Sequence, residues 1–452
     1  TNLKMKLPTR KKDGALVTTA KMSPYPDSAV RGSAALPAPP THPWVEPSRV
    51  HRNVYLDRDL FEEELRRIFY TTWIYVGHES EVANPGDYKT TFIGKQPVIV
   101  SRDEDGEIHV LFNRCTHRAA TVCQAASGNS SFFRCEYHGW TFRNNGELVA
   151  PTFRDGYNSV DFDASQFALG RVARVDSYRG LIFASLAREG SSLRDHLGGV
   201  AEFIDLAIDL APAGTIRLGA GVHRYSYRGN WKLQSENGVD AYHANFVHRA
   251  FLDTSHYGSK GFFGSSSKGR AGSLGRGHAV LDFRVMMQPL MRELQQTPAG
   301  QRLTEQLTER LGAESAHRVF LSGGTQGCNL LIFPNLQIIA NHLRVIHPRA
   351  ADYTEVELYP YLHDGADDAV NSERLRVHEA FYGPAGAGGP DDVEMFNRVG
   401  LGLAVEGVQW LSFLRGLNRE EVDGEARWGH ITDEQPQRGF YRQWLELMGE
   451  RA

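Results

Sequence analysis

Cys115-Thr-His117 and Cys135-Glu-Tyr-His138 are two metal-ligand pairs with seventeen residues between them. Each pair is short enough to sit on a tight loop at a hairpin end. Thiolate sulfur with imidazole nitrogen suits zinc, or a two-iron two-sulfur cluster that takes two Cys on one iron and two His on the other. Ligand types alone do not choose. With only 4 Cys in 452 residues the chain is not built on disulfides, so a Cys beside a His points to metal before it points to a bridge. Cys123 and Cys328 have no such neighbour and read as small buried hydrophobes. A second group follows at Asp240, His243 and His248, a carboxylate and two imidazoles within nine residues. At about 100° per residue, Asp240 and His243 share a helical face while His248 lies roughly 140° from His243. The helix must therefore bulge or end between the two His if they are to converge. Two His require a third ligand, and an O₂-activating iron centre uses two His and one carboxylate with positions left open.

The elements that must position these groups change character along the chain. Residues 1–47 hold eight of the 20 prolines, basic residues such as Arg10, Lys11 and Lys12, and almost no periodic hydrophobics, the composition of an extended arm. In residues 48–72, Leu60, Phe61, Leu65, Ile68 and Phe69 recur at helical spacing behind Asp57 and predict a short amphipathic helix. From Trp73 to about Leu186, short β-branched and aromatic runs at 88–92, 98–101, 109–113, 132–135 and 180–185 are split by turn signals such as Asn84-Pro-Gly-Asp87. That is the pattern of a small antiparallel β domain. Beyond Leu186, helical stretches (196–210, 301–311) mix with strand-like ones (223–227, 330–333, 355–361) and predict an α+β domain with an antiparallel sheet. Residues 258–277, with seven Gly and five Ser, are expected to be loop throughout and are a candidate lid close behind His248. The formal net charge of −4 argues against a nucleic-acid binder. There is no run of about 18 apolar residues to span a membrane and no apolar block after the N-terminal charges, so the chain reads as cytoplasmic.

Cys115-Thr-His117-Arg118 followed by Cys135-Glu-Tyr-His138-Gly139-Trp140 resembles the Rieske iron–sulfur motif of the large (α) subunits of ring-hydroxylating aromatic oxygenases. Ala119 stands where that family usually has Gly. The resemblance runs from about Val54 to Phe440. It implies a [2Fe-2S] cluster on Cys115, His117, Cys135 and His138, in an all-β Rieske domain over 73–187. It implies a mononuclear Fe(II) in a larger catalytic domain over 188–452, of antiparallel sheet plus helices with a helix-grip, START-like fold. The iron would be held by His243, His248 and an acid of the segment 383–396, with Asp392 the expected ligand and Asp391 the alternative. Adjacent acids after Gly-Pro are otherwise usual at exposed turns and helix caps. The same resemblance makes Asp240 a bridge, accepting from His243 and from His138 of the partner subunit, which fixes both imidazole tautomers. It implies a homotrimer or an α3β3 assembly with a small β subunit. Electrons would come from NADH through a separate reductase, with or without a ferredoxin. The chain itself shows no Gly-x-Gly-x-x-Gly fingerprint after a strand.

The stretches Trp73–Glu81 and Trp231–Asp240 look closest to the benzoate, anthranilate and terephthalate branch, which implies an aromatic carboxylate as substrate and cis-dihydroxylation as reaction. A carboxylate needs a cation, and Arg344 and Arg427 are the candidates. Asn237 is a further candidate for approach to the iron. Three alternatives stay open: a neutral mono- or polycyclic hydrocarbon as substrate, a zinc-stabilised ligand-binding protein, and a Rieske electron carrier with no chemistry of its own.

Overall fold

The computed structural model describes residues 44–158, 160–254 and 263–449, so residues 1–43 of the expected arm lie outside it. The described chain divides into two compact units, 84–90 with 99–171 in one and the remainder in the other.

In the smaller unit, strands Asp87–Ile93, Gln96–Arg102, Ile108–Phe112 and Ser127–Asn129 make one sheet. The hairpin tip 91–98 counts with the larger unit. Strands Phe132–Arg134, Thr141–Arg143 and Leu148–Ala150 make a second, antiparallel sheet. Tyr88, Ile99, Leu111, Phe133 and Phe142 form the core, and Cys115, Cys135 and Trp140 belong to the same cluster. The apolar alternation that predicted strands is thus the same set of side chains that walls in the thiols.

In the larger unit, after the paired strands Val45–Glu46 and Arg49–His51 and a helical turn at Asn53–Leu56, comes α1 (Arg58–Glu64), capped by Asp57, whose Oδ1 accepts from Leu60 N at 2.8 Å, and it runs on as a π turn through Phe69. A small antiparallel sheet joins β1 (Ile74–His78), β2 (Arg174–Tyr178) and β3 (Leu181–Ser185). Its Trp73, Tyr75, Leu181 and Phe183 are buried in one core with α2 (Val200–Asp209) and the main sheet. Both ends of the stretch 73–187 therefore pack into the larger unit.

The main sheet is built from β4 (Ile216–Leu218), β5 (His223–Tyr227), β6 (Arg270–Ser273), β7 (Ala279–Asp282), β8 (Cys328–Ile332), β9 (Leu336–Ile339), β10 (His342–Ala350), β11 (Tyr353–His363), β12 (Glu421–Asp423) and β13 (Ala426–His430), with α3 (Trp231–Asn237) and α4 (Ala244–Val247) between β5 and β6. Its order is β4-β11-β10-β9-β8-β7-β6-β13-β12, with β5 also on β11. Three more helices matter to the site: α5 (Asp368–Tyr382), α6 (Gly389–Leu403) and α7 (Gln435–Met448). A buried carboxylate ties α1, α3 and α7 together, because Glu64 accepts from Lys232 Nζ, Trp231 Nε1 and Trp444 Nε1 at 2.5, 2.9 and 2.7 Å. Removing it would leave a buried ammonium unpaired, which costs about 3–5 kcal/mol. Among the described residues, no helix is long and apolar enough to cross a membrane.

Two expectations change here. Residues 258–277 are not loop throughout, since β6 pairs with both β7 and β13. Gly272 sits under the Trp428 ring so closely that a Cβ would meet it at 2.6 Å. The small residues admit an aromatic side chain against the sheet instead of breaking the strand. The part of the expected lid at 258–262 lies outside the described residues. The second change is at the histidines, where Asp240 and His243 do not share a helix: α3 ends at Asn237, and a non-helical turn leads into the single turn α4.

Candidate metal centres

In the smaller unit two loops repeat one backbone pattern. Ala119 N donates to Cys115 O and Cys115 N to Ala120 O, while Gly139 N donates to Cys135 O and Cys135 N to Trp140 O. Each loop needs a left-handed residue four places after its Cys, and Gly139 (φ 69°) and Ala119 (φ 58°) supply it. Holding Ala there costs about 1–2 kcal/mol that Gly avoids. Ala119→Gly is therefore expected to stabilise the loaded unit by about 1 kcal/mol once glycine's extra chain entropy is set against the relief of strain. The denaturant midpoint of cluster bleaching measures this, and an unchanged or lowered midpoint would refute it.

These loops bring Cys115 Sγ and Cys135 Sγ to 3.3 Å, too far for a disulfide, and both thiols are buried. The His117 and His138 rings lie 4.4 Å apart, with His117 stacked on Trp140 at 5.0 Å. Nδ1 of each His is buried without a partner. Two thiols on one side and two orphaned imidazole nitrogens on the other fit four-ligand metal binding. Burial pushes the Cys115 thiol up to about 11, so its thiolate form needs an adjacent cation. The two His are only half-buried, which leaves the imidazole side at the surface of the unit. The geometry fits zinc as well as a two-iron cluster.

In the larger unit the chain breaks at Gly238, where a Cβ would meet Gln337 Nε2 at 2.2 Å. Glycine lets the end of α3 lie directly on β9. Asp240 Oδ1 then accepts from Tyr242 N and His243 N at 3.1 and 3.2 Å and turns the chain into α4. His243 and His248 flank that single turn, and α4 ends at Val247, between the two His, so they converge as an unbroken helix would not allow. From α6, Asp392 Oδ1 reaches His243 Nε2 at 3.6 Å and His248 Nε2 at 3.4 Å. Two donors each about 2.1 Å from one ion, at near-octahedral to tetrahedral angles, lie about 3.0–3.5 Å apart, so the triad fits a metal. Asp391 instead is half-exposed and 4.0 Å from His248 Nδ1. Asn237 Nδ2 donates to Asp392 Oδ1 at 3.1 Å and stands 3.3 Å from His243 Nε2. Asp240 Oδ1 lies 3.6 Å from His243 Nδ1, within reach of charge but beyond a hydrogen bond. Burial opposes a charged His243, yet the Asp240 and Asp392 carboxylates outweigh it and raise its pKa. For His248 burial wins and the pKa falls.

A family-level comparison matches residues 72–160 to the Rieske [2Fe-2S] domain and residues 217–450 to the ring-hydroxylating α subunit catalytic domain. The chain belongs to the ring-hydroxylating oxygenase α-subunit family. It is an oxygen-incorporating oxidoreductase, and the match decides between zinc and iron–sulfur: its metal groups are a Rieske [2Fe-2S] cluster and a mononuclear iron. The oxygenase is 34% identical over 387 residues to the 2-halobenzoate 1,2-dioxygenase large subunit of Burkholderia cepacia, covering 81% of this chain and 80% of that one. It is 35% identical over 396 residues to the anthranilate 1,2-dioxygenase large subunit of Acinetobacter baylyi, covering 82% and 81%. A solved naphthalene 1,2-dioxygenase with indole in its active site superposes with a TM-score of 0.79 at 25% identity, over 90% of this chain and 94% of that one.

Of the expected substrate residues, Arg344 is 4% exposed on β10. It lies 5.6 Å over the Tyr382 ring, and its charge is felt at His248 and at Tyr225. Arg427 is not brought to this cluster; it is 42% exposed on β13 and faces Glu420 at 3.9 Å. Sequence reasoning missed Glu236, which accepts from Tyr55 and Tyr441 hydroxyls at 2.8 and 2.5 Å and is raised to about 7, chiefly by burial. It also missed His223, His342, His378 and Tyr382, which come from β5, β10 and α5 and had no local motif to mark them.

Proposed function

We propose that this oxygenase adds both atoms of O₂ to the ring of an aromatic carboxylate, giving a cis-dihydrodiol. One observation carries the substrate class: Arg344 is a buried guanidinium with no carboxylate partner among the described residues, and its Nε makes no hydrogen bond. An unpaired buried cation costs several kcal/mol, and a substrate carboxylate beside the triad would pair it. The relatives named above act by name on 2-halobenzoate and anthranilate, which agrees with this reading. The segment 73–187 serves the cluster, held by Cys115, His117, Cys135 and His138, and 188–452 houses the iron, held by His243, His248 and Asp392. When bound, the cluster supplies single electrons and the iron activates O₂. Asn237 orients the Asp392 carboxylate, and Asp240 shapes the turn that carries His243 and places its charge on the Nδ1 side of the ring. Electrons come from NADH through a separate reductase, with a ferredoxin where one is used. Asp240 links His243 to His138 of the partner subunit in a trimer or α3β3 assembly.

Turnover of aromatic acids against neutral hydrocarbons, with a reductase chain and identification of products, tests this reading. Dihydrodiols from acids support it, and oxidation of hydrocarbons alone overturns it. Arg344→Gln is expected to raise KM for the acid by about 10–100-fold, the range of a lost charge-assisted contact of about 1.5–3 kcal/mol, with little effect on a neutral ring. Arg427→Gln should leave both unchanged. Equal losses on acid and neutral ring after Arg344→Gln would count against a carboxylate contact.

A further inference from the structure

Beside Arg344 lies a group of histidines that the iron triad does not use. His342 and His378 are both 0% exposed, and all four of their ring nitrogens are buried without a hydrogen-bond partner. Their rings lie 5.0 Å apart, and His378 is 5.3 Å from His223. The folding pattern explains the gathering. His342 and Arg344 are two apart on β10 and so share a face. Arg344 opposes Leu358 on β11, which opposes His223 on β5, so all three project to that same side. His378 and Tyr382 are four apart on α5, one above the other. Tyr382 lies beside both, 4.5 Å from the His342 ring and 5.6 Å from that of His378. The residue before it, Phe381, packs on the iron-site His248 at 5.0 Å. The cluster is therefore one side chain removed from the triad.

A buried polar atom left unpaired costs about 1–3 kcal/mol, so this group calls for an occupant. His223, His378 and Glu379 do gather three potential metal-ligand atoms, but a cation suits the place poorly. Glu379, the carboxylate of that trio, is 55% exposed and already pairs with His223 at 2.8 Å. Arg344 adds positive charge: after burial, its field helps hold His342 and His378 below the usual imidazole range, His378 at about 4. Both rings are then neutral near pH 7, and a neutral imidazole presents one N–H donor and one acceptor nitrogen. Such a pair can donate to and accept from an uncharged hydroxyl or amine, whereas a methyl group offers it neither; the neighbouring Arg344 charge is what disfavours a metal ion.

We propose that His342 and His378 form a hydrogen-bonding subsite next to Arg344 that binds a hydroxyl or amino substituent on the ring of an aromatic acid. The proposal rests on the aromatic-acid reading above and narrows it, with Arg344 taking the carboxylate and the histidines selecting the ring substituent.

Calorimetric titration of the holo-oxygenase with benzoate and with the methyl-, hydroxy- and aminobenzoates tests it. At least one hydroxy- or aminobenzoate is expected to bind about tenfold tighter than its methyl counterpart, a difference of about 1.4 kcal/mol. His378→Phe and His342→Phe should erase that preference and leave the Kd of benzoate within about threefold, a change of about 0.65 kcal/mol. His378→Gln, which keeps a donor and an acceptor, should retain part of it. Arg344→Gln should weaken all the acids alike. No polar preference in the wild type, or an equal loss for benzoate and polar acids in both Phe variants, overturns the subsite while the Arg344 dependence still upholds the acid reading. A second equivalent of cobalt(II) per protomer that His378→Phe removes overturns it in favour of a metal site. If none of the acids binds and Arg344→Gln changes nothing, the acid reading fails and the subsite falls with it.

Discussion

Asp392→Asn and His243→Ala are expected to abolish turnover, by at least about a thousandfold, equivalent to about 4 kcal/mol of barrier, while the visible spectrum of the Rieske cluster persists. The triad meets only through Asp392 Oδ1, 3.6 Å and 3.4 Å from the two Nε2 atoms. Replacing that carboxylate oxygen by an amide, or removing one imidazole, leaves two donors, and a two-ligand site does not retain the metal of a facial triad. The proposed cluster ligands Cys115, His117, Cys135 and His138 belong to the other compact unit, so the cluster spectrum reports that its fold survives. Metal analysis should show iron falling to the two equivalents of the cluster. Asp391→Asn is the control, because its half-exposed carboxylate is 4.0 Å from His248 Nδ1 and its loss should change activity little. Retained turnover in the Asp392 and His243 variants would instead show that these residues do not hold the iron.

How far the chain was readable depends on the range over which each feature is encoded. The Cys–His loops were legible because both ligands of each pair fall within four residues and one turn geometry fixes them; even the one irregular position, Ala119, marks the place where the backbone goes left-handed. Strand 223–227 was found to the residue because its alternation is local. The helix at 58–64 was found by its Asp57 cap, which forms as expected. Residues 270–273 were read wrongly because glycine signals a breaker in isolation, whereas here it makes room for Trp428, 156 positions from Gly272 in sequence and opposite it in register. The choice of Asp392 over Asp391 depended on resemblance alone, since only the N-terminal turn of α6 decides which acid turns inward. The histidine group around Arg344 was invisible for the same reason on a larger scale. His223, His342 and His378 sit on three elements, and no spacing in the sequence states that β5, β11 and β10 are consecutive in the sheet.

Asp240→Asn is expected to lower product formation by about 10–100-fold, the usual loss when a partner of a metal-bound imidazole is removed, with iron and cluster both in place. Asp240 has two tasks that this substitution separates. Its Oδ1 accepts from Tyr242 N and His243 N and so shapes the turn that delivers His243; an amide oxygen can still accept both bonds, so the turn should form and the triad should load. Its charge, 3.6 Å from His243 Nδ1, raises the His243 pKa against the opposing effect of burial and favours the tautomer with hydrogen on Nδ1 and a free Nε2 facing Asp392. Asparagine supplies no such charge, and in the proposed assembly it also weakens the link to His138 of the partner subunit. Asp240→Ala removes both tasks and should lose iron as well. In stopped-flow experiments on the reduced, substrate-bound oligomer, reoxidation of the cluster by O₂ should slow in step with product formation in Asp240→Asn. Normal reoxidation with low product would place the defect at the iron alone, and a wild-type rate of product formation would remove Asp240 from the electron path.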